Sequence, residues 1–380
     1  MDWESVRKSF MIPEGVVYLN NGTAGPCPRC VFDKMVEWQR VLEANPAELG
    51  PVNNEAVKPA KEKLAAFVGI EPANMVFVMN VTVGMNMVAA GPRNLKPGDE
   101  ILITDQEYNA VSRAWEFNAD KRGCVLKRVA IPFPPESSDQ IVSAFEQAIT
   151  PRTRVLVFAH ITSSAIMMPV QRLCKLAKER GILTAVDGAH APGMIPLDVP
   201  GLGCDFYVGN CHKWLCAPKG SGFFYAAPHA QGLLAPFVVG HGWAKGKETF
   251  LGNFESPGTH SPAPYIGAGE AVDFQNRIGR ENIAARGREL TLYGREALAQ
   301  IPGVRPATPA HPDFVCSMAS YFLPPIEDEL RFARMLGKYR ITVPGSAGKQ
   351  GGRLRVSSHI YNTTGEIDLL VRALREAYGK

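Results

Sequence analysis

One fourteen-residue segment, GNCHKWLCAPKGSG at 209–222, concentrates reactive side chains between glycines. Cys211, His212 and Cys216 carry groups that bind transition metals. The PKGSG end has the glycines and the lysine that phosphate-binding loops use, and Lys213 has the amine of a covalent catalyst. The segment therefore offers three chemistries, and the rest of the chain must distinguish between them.

The metal and phosphate interpretations both fail on spacing. Structural zinc sites take four ligands in closely spaced pairs, whereas Cys211 and Cys216 are five positions apart with no second cluster nearby. The pair Cys27 and Cys30, in CPRC, lacks the strand and helix that flank a thioredoxin-like redox site, so we interpret both as buried or loop thiols. A Walker loop places its lysine after the second glycine, but in CAPKGSG the lysine precedes both. We predict no metal site, and a tight turn before the strand GFFYAA.

Lys213 is left as the reactive residue, and Asp187 is a second polar residue at the end of a strand. Lys213 follows the apolar segment CDFYVGN, and Asp187 lies within LTAVDGAH. Ligands of open α/β sheets bind at the carboxyl ends of the strands. A carboxylate buried there needs a partner, because burying an unpaired charge is costly. Either another protein group or a cofactor cation, such as a protonated pyridine nitrogen, would provide that partner.

Short apolar segments alternate with amphipathic segments from about residue 75 onward. Strands that are apolar almost throughout, and separated by helices, are typical of a mainly parallel sheet covered on both faces. The segment QRLCKLAKERG (171–181) has helical spacing and ends on a glycine, as helices often do. We therefore predict an α/β fold. The predicted strands are 75–80, 100–105, 124–131, 154–161, 183–190, 204–210 and 222–227, and a helix is predicted to start at 81.

The pattern changes after about residue 260, where a helical segment at 266–300 has the length to bridge two domains. A strand at 316–323, a helix at 327–340, two further strands near ITVPG and RLRVSS, and a closing helix follow. These elements predict a small α+β domain. We divide the chain into an N-terminal segment that packs with the small domain (1–20), a large domain (21–260), and a bridging helix with the small C-terminal domain (261–380).

The composition is that of an ordinary globular protein, with 46% hydrophobic and 21% charged residues. A net charge of +4, without a dense Lys/Arg run, gives no support for a nucleic-acid partner. No window reaches about 18 consecutive apolar residues, so we expect no membrane partner. The segment MDWESVRKSF is charged throughout, unlike a secretory signal. With eight scattered cysteines, these features predict reduced thiols in a cytoplasmic protein.

Two motifs, VDGAH (186–190) and GNCHKWLCAPKGSG (209–222), resemble those of the fold-type I class V aminotransferase family, whose enzymes depend on pyridoxal phosphate. The resemblance extends from YLNNGTAGPCP (18–28) to LRVSSHIYNT (354–363), and the isopenicillin N epimerase-like branch is the closest. Cysteine desulfurases are cousins. The resemblance implies a seven-stranded-type sheet in the large, cofactor-binding domain. It also implies pyridoxal 5′-phosphate as the cofactor and an amino acid as the substrate.

The resemblance assigns cofactor roles to matching positions. Lys213 resembles the lysine that forms the internal aldimine. Asp187 matches the aspartate that keeps the pyridine nitrogen protonated, so that the ring becomes an electron sink. The other matches are Thr82 and the backbone of Val83 at a phosphate-binding helix N-terminus, Asn210 and His212 beside the phosphate, His190 against the phenolic oxygen, and Tyr108 stacked on the ring.

Further matches concern the substrate and a second subunit. Arg355 matches the arginine that holds the α-carboxylate, for which a guanidinium is well shaped, and its neighbour Arg353 is a surface alternative. Ser163, in HITSSAI, stands where many relatives have an asparagine that contacts the substrate, and Gly22 is also assigned to the substrate site. Thr259 resembles a residue that reaches the phosphate of the other subunit. This match implies a homodimer with shared active sites.

The residues leave the reaction type open. The freed amine of Lys213, with a pKa lowered by desolvation and nearby positive charge, is suited to remove the α-proton. Reprotonation on the opposite face, with Tyr108, His190 or a loop residue as the second acid, gives epimerisation. Loss of a β-substituent gives a lyase, and protonation at C4′ of the cofactor gives an aminotransferase.

We expect an enzyme of the epimerase-like branch, with a C–S or β-elimination lyase as the alternative and an aminotransferase after that. Desulfurases carry a nucleophilic cysteine on a loop before the carboxylate-binding arginine. The corresponding loop here, PGSAGKQGGRLR, has none, which disfavours persulfide formation. A non-enzymatic cofactor-binding scaffold is disfavoured as well, because it has no need of Lys213, Asp187 and Arg355 together.

Overall fold

Runs of apolar and β-branched residues form the strands of the protein. A computed structural model describes residues 1–379, with Glu48 described by its backbone alone. The strands of this part of the chain are β1 (Val17–Tyr18), β2 (Met75–Val78), β3 (Glu100–Thr104), β4 (Val125–Val129), β5 (Thr153–Ala159), β6 (Leu183–Gly188), β7 (Phe206–Asn210), β8 (Gly222–Ala226), β9 (Arg305–Pro306), β10 (Met318–Leu323), β11 (Ile341–Thr342), β12 (Gly345–Ser346) and β13 (Gly352–Ser357).

Amphipathic segments between the strands form the helices. Several begin with a side-chain cap, as at α14, where Thr363 and Glu366 form a capping box. The helices of the described residues are α1 (Trp3–Lys8), α2 (Arg29–Ala44), α3 (Leu49–Val52), α4 (Lys58–Phe67), α5 (Val81–Ala90), α6 (Asn109–Arg122), α7 (Ser138–Ala148), α8 (Val170–Glu179), α9 (Pro228–Gln231), α10 (Phe250–Phe254), α11 (Ala263–Ile278), α12 (Arg280–Ala299), α13 (Glu329–Lys338) and α14 (Thr364–Tyr378).

The large sheet has seven strands in the order β2-β8-β7-β6-β5-β3-β4 within the described chain. Five neighbouring strands pair in parallel, in the order β4-β3-β5-β6-β7, and β8 is antiparallel to both β7 and β2. Every residue of β3, β7 and β8 is buried, as expected for strands covered by helices on both faces. The edge strand β4 carries Lys127 and Arg128, charges that protect an edge. The predicted α/β fold with a mainly parallel sheet is confirmed.

The predicted bridging helix over 266–300 is wrong as a single element. Gly279 has φ +93°, a left-handed value that glycine adopts readily, and it separates α11 from α12. The two helices pack in different places. Helix α11 packs on α2 and α4 beside the large sheet, whereas α12 packs on α14 and β10. Helix α12 itself connects the two hydrophobic cores, because Ile283 near its start belongs to the core of the large sheet and Leu298 near its end belongs to the other core.

A second sheet, of order β12-β13-β10-β9, is antiparallel and has its own hydrophobic core with α14. The N-terminal segment contacts both cores. Val17 and Leu19 belong to the core that contains α14, and β1 pairs in parallel with β11. Val6 and Phe10 belong to the core around the seven-stranded sheet. The exact division into segments 1–20, 21–260 and 261–380 stays a prediction. Within residues 1–379, no helix is both long and apolar enough to cross a membrane.

Candidate active site

A cavity of about 270 Å³ lies at the carboxyl ends of the central strands, between the two hydrophobic cores. The segments that follow β3, β5, β6 and β7 contribute to its wall, as expected for a doubly wound sheet. The structure brings together most of the predicted site residues in this cavity. Those that line it are Gly22, Thr82, Tyr108, Ser163, Asp187, His190, Asn210, His212, Lys213 and Arg355.

Lys213 follows β7, and its amine points toward His190. The distance from Lys213 Nζ to His190 Nε2 is 3.3 Å. The Lys213 carbonyl accepts a hydrogen bond from the side chain of Asn21 at 3.3 Å, which ties the turn to the N-terminal segment. Burial, opposed by the carboxylate of Asp187 and reinforced by Arg355, lowers the pKa of Lys213 to about 8. Lys213 is therefore poised to supply a neutral amine near physiological pH.

Asp187 occupies the fifth position of β6 and is buried, with 3% of its surface exposed. Its Oδ1 accepts a hydrogen bond from the backbone N–H of Ala189 at 2.8 Å. Burial raises the pKa of Asp187, whereas this hydrogen bond and the Lys213 ammonium lower it. A cation in the cavity would stabilise the ionised form further, as predicted for a pyridinium partner.

Glu107 is a site residue that the sequence analysis missed. It lines the same cavity, is 7% exposed, and its Oε1 accepts a hydrogen bond from the backbone N–H of Tyr108 at 2.9 Å. Burial and the nearby carboxylate of Asp187 raise the pKa of Glu107 well above the usual range, because both disfavour the ionised form. The signal was present in the sequence, because Glu107 immediately precedes Tyr108 in the loop after the buried strand β3.

Tyr108 stands at the mouth of the cavity. It is the N-cap residue of α6, and 54% of its surface is exposed although it is aromatic. An exposed aromatic ring beside a concave polar site is suited to stack on a planar ligand. Its predicted stacking on a cofactor ring stays a prediction.

The N-terminus of α5 forms the end of the cavity that suits an anion. Asn80, Val81 and Thr82 line it, and the positive end of the helix dipole favours negative charge there. Two of the helix N–H groups are already bonded. The N–H of Val81 donates to Asn210 Oδ1 at 2.9 Å, and that of Val83 donates to Asn80 Oδ1 at 3.0 Å. Val83, which we expected to face the phosphate, does not line the cavity.

His212 lies beside this end of the cavity in a neutral form. Its Nδ1 is 3.3 Å from the carbonyl of Ser221, which fixes Nδ1 as the N–H donor and leaves a lone pair on Nε2. Burial lowers the pKa of His212 to about 4. A phosphate contact through Nε2 would therefore require protonation, which a bound phosphate dianion favours.

Arg355, on β13, carries a positive charge that has no ionised partner. Its guanidinium donates to Ser163 O at 3.1 Å, to Thr23 Oγ1 at 3.1 Å and to Asn20 Oδ1 at 3.4 Å. Its Nε is buried without a hydrogen-bond partner, and within residues 1–379 it forms no salt bridge. Arg353, two positions earlier on the same strand, is exposed and stacks on aromatic rings outside the cavity. An anionic ligand would complete the surroundings of Arg355.

Several predicted residues lie elsewhere. Thr259 lines a separate cavity of about 730 Å³ near Phe77 and Tyr265, so it does not contribute to the Lys213 site of its own chain. Cys211 and Cys216 are buried in the large core as free thiols, and PKGSG forms the predicted turn before β8. Across the described residues, no three His, Cys, Asp or Glu side chains come together with the geometry of a metal site.

The residues present fit pyridoxal phosphate. The cavity combines a lysine amine, a buried carboxylate, a helix N-terminus and a half-exposed tyrosine, which match the aldehyde, pyridine nitrogen, phosphate and ring of the cofactor. Buried polar atoms without partners in the described chain, Glu107 Oε2 and Arg355 Nε, further indicate that a polar ligand belongs in this cavity.

The chain matches the family model described as aminotransferase class-V over residues 17–370. It is 37% identical to the isopenicillin N epimerase of Amycolatopsis lactamdurans, with 98% of both chains covered. It is 36% identical to that of Streptomyces clavuligerus, with 100% of this chain and 99% of the relative covered. A cysteine desulfurase structure from Thermococcus onnurineus superposes with a TM-score of 0.87 at 23% identity, covering 99% and 98% of the two chains. The protein therefore belongs to the class V aminotransferase family, within its isopenicillin N epimerase-like branch, and is an enzyme that uses pyridoxal 5′-phosphate.

Proposed function

We propose that the protein is an epimerase that inverts the α-carbon of an amino-acid substrate related to isopenicillin N. The observation that carries this proposal is the presence, in one cavity, of the Lys213 amine and of the Arg355 guanidinium without an ionised partner. One group is suited to remove a proton at Cα, and the other to hold the α-carboxylate attached to that carbon. The similarity to two isopenicillin N epimerases over almost the whole chain supports the substrate class.

Several residues of the cavity would hold the cofactor. Lys213 would bind it covalently, Asp187 would pair with the ring nitrogen, and the N-terminus of α5 with Asn210 and His212 would bind the phosphate. Tyr108 and His190 would contact the ring. When bound, the cofactor withdraws electrons from the substrate Cα and so makes its proton acidic.

The proton transfers are the work of the protein side chains. Arg355 orients the substrate through two hydrogen bonds to its carboxylate, which fixes the direction of the Cα–H bond. Lys213 accepts the Cα proton as a free amine, and its pKa of about 8 matches that of a base working near neutral pH. Inversion then needs a second group that delivers a proton from the other side. Tyr108 and His190 both line the cavity and both carry an exchangeable proton.

The alternative is a C–S or β-elimination lyase, and transamination is a third outcome of the same proton removal. The lining of the cavity favours inversion over a thiol-based desulfurase reaction. None of the described residues that line it is a cysteine, and Cys316, the last cysteine of the chain, is buried with its Sγ directed to the carbonyl of Met318.

The reaction is tested by incubating the enzyme with isopenicillin N and with a panel of L- and D-amino acids in deuterated water. We expect deuterium at Cα together with both configurations at that carbon, measured by NMR and chiral chromatography. Keto acid with pyridoxamine phosphate would indicate a transaminase, and pyruvate or sulfide release a lyase. K213A is the inactive reference, and R353Q is the matched control for a charge change outside the cavity.

We also propose that the enzyme is a cytoplasmic homodimer that shares its active sites. Thr259 lies away from the Lys213 cavity of its own chain, which is compatible with a role toward a second copy. An apolar cavity of about 570 Å³, which includes Met11, Phe32 and Met35, offers a surface for association. Light scattering after size-exclusion chromatography should give twice the chain mass of 41.4 kDa. A monomer would contradict the shared site.

A further inference from the structure

Each ring nitrogen of His190 lies close to a nitrogen atom of another side chain. Its Nε2 is 3.3 Å from Lys213 Nζ, and its Nδ1 is 3.1 Å from the indole Nε1 of Trp214. Both rings are buried, with 5% of His190 and none of Trp214 exposed. The environment of His190 is therefore set by protein groups and not by bulk water.

An indole N–H is a donor and has no lone pair to offer. His190 Nδ1 must therefore be the acceptor in this hydrogen bond, and a neutral imidazole then carries its proton on Nε2. Burial, together with the nearby positive charges of Lys213 and Arg355, lowers the pKa of His190 well below its usual range, so the ring stays neutral. The Nε2–H form is the tautomer that satisfies both neighbours when Lys213 is a free amine, which can accept this hydrogen bond.

We infer that Trp214 is a positioning residue, which fixes His190 as the Nε2–H tautomer and directs that N–H into the cavity at Lys213. This inference deepens the proposed function and rests on it for its catalytic meaning. Trp214 follows Lys213 directly in the sequence, so the same turn that places the amine also places the indole that orients its neighbour.

Trp214 is itself held in place from the other side. Its carbonyl accepts hydrogen bonds from His359 Nε2 at 2.8 Å and from Gln275 Nε2 at 2.6 Å. The backbone N–H of Ile360 donates to His359 Nδ1 at 2.8 Å, so His359 is likewise an Nε2–H tautomer. His359 lies just after β13, the strand that carries Arg355. The orientation of His190 is therefore linked to the strand that holds the carboxylate-binding arginine.

This tautomer restricts what His190 can do. An Nε2–H pointing at Lys213 Nζ is compatible with a free amine, which can accept, but not with an ammonium, which has no lone pair. The other charged or ionisable groups that line the cavity around Lys213 are Glu107, Tyr108, Asp187, His212 and Arg355. His190 cannot take up a proton at Nδ1, which Trp214 occupies, and releasing Nε2–H would leave an imidazolate. His190 therefore donates an oriented hydrogen bond and does not transfer the second proton. Tyr108 is then the candidate for the second proton transfer.

Nitrogen-15 NMR of histidine-labelled protein tests the inference directly, on the full chain with its cofactor and again after the cofactor is removed. The H190Q variant assigns the signals. With the cofactor bound, we expect a pyrrole-type shift for Nε2 and a pyridine-type shift for Nδ1. In the cofactor-free protein we expect the same pattern above the Lys213 pKa of about 8, where the side chain is a free amine that can accept the Nε2–H hydrogen bond. In W214F we expect this single pattern to be lost and replaced by averaged shifts from two tautomers.

The matched control is W115F, because Trp115 is equally buried and its Nε1 has no hydrogen-bond partner among the described residues. W115F should leave both His190 shifts in place. A wild-type Nδ1–H pattern, or a W214F spectrum identical to that of the wild type, would overturn the inference. The wild-type spectrum alone is decisive if W214F does not fold. Failure of the proposed function would appear separately, as a protein that takes up no cofactor while the tautomer pattern persists.

Discussion

The proposed mechanism requires Lys213 to be a neutral amine when it accepts the Cα proton. Burial removes the ammonium from water and lowers its pKa from 10.5 to about 8, with Asp187 acting in the opposite direction and Arg355 in the same one. At pH 8, about half of the Lys213 side chains are then free amines, against about 0.3% for a lysine with its ordinary pKa, a difference of roughly 150-fold. We predict that this difference is measurable before any substrate is added.

The assay is competitive labelling of the cofactor-free protein with acetic anhydride, which reacts with free amines, followed by peptide mass spectrometry. The labelling of Lys213 should rise with pH around a midpoint near 8. D187N removes the negative charge that favours the ammonium, so its midpoint should move to lower pH. R355Q removes a positive charge that disfavours the ammonium, so its midpoint should move to higher pH.

The two variants are expected to shift the midpoint in opposite directions. A general loss of structure at the site would instead raise the midpoint of both variants toward that of an ordinary lysine. Lys175, an exposed side chain, serves as the reference for reagent activity in every sample. A Lys213 midpoint above about 10 in the wild type, where an unperturbed lysine titrates, would refute the reasoning. An upward shift in D187N would refute it as well.

Three further predictions concern neighbouring residues. R355Q should raise KM by roughly a hundredfold, which corresponds to about 3 kcal/mol for a lost buried charge-assisted contact. R353Q, on the same strand, should change KM little. Steady-state kinetics with isopenicillin N measures both KM values. Because the pKa of Glu107 is raised, the wild type should lose stability as pH rises from the usual carboxyl range through that raised value. E107Q should lack this loss in calorimetric melting curves recorded between about pH 5 and pH 8, and parallel curves for the two proteins would contradict the raised pKa of Glu107. In G22A the new Cβ would lie 2.9 Å from Ser357 Oγ and 3.3 Å from Arg355 Nη2, so we expect a higher KM with unchanged cofactor content, and loss of cofactor would contradict this placement.

The sheet could be predicted because burial on both faces leaves a plain signal. Strands β2, β3 and β5 to β8 are almost continuously apolar, so periodicity and length identified them with errors of one or two residues at the ends. The break at Gly279 was missed because a single glycine does not interrupt helical periodicity. The break goes with two helices that pack against different elements, α11 on α2 and α4 and α12 on α14 and β10, which is a property of the tertiary structure.

The site was predictable where side chains follow strands directly, as with Asp187 and Lys213, and where family motifs fixed positions such as Arg355. It was not predictable where partners come from distant segments. The raised pKa of Glu107 depends on its burial and on its proximity to Asp187, 80 positions away in the sequence. The N–H of Val83 is engaged by Asn80, a competition between a capping side chain and a ligand that the motif alone does not reveal.

The most direct test of the central claim is reduction of the cofactor-loaded enzyme with borohydride, followed by proteolysis and mass spectrometry. We predict loss of the visible cofactor absorbance and the cofactor mass on the peptide that contains Lys213, with no attachment in K213A. Attachment at Lys219, whose amine is bonded to the carbonyl of Gly25, would contradict the assignment of the reactive lysine. A colourless protein that cannot be reconstituted with pyridoxal phosphate would contradict the entire mechanism.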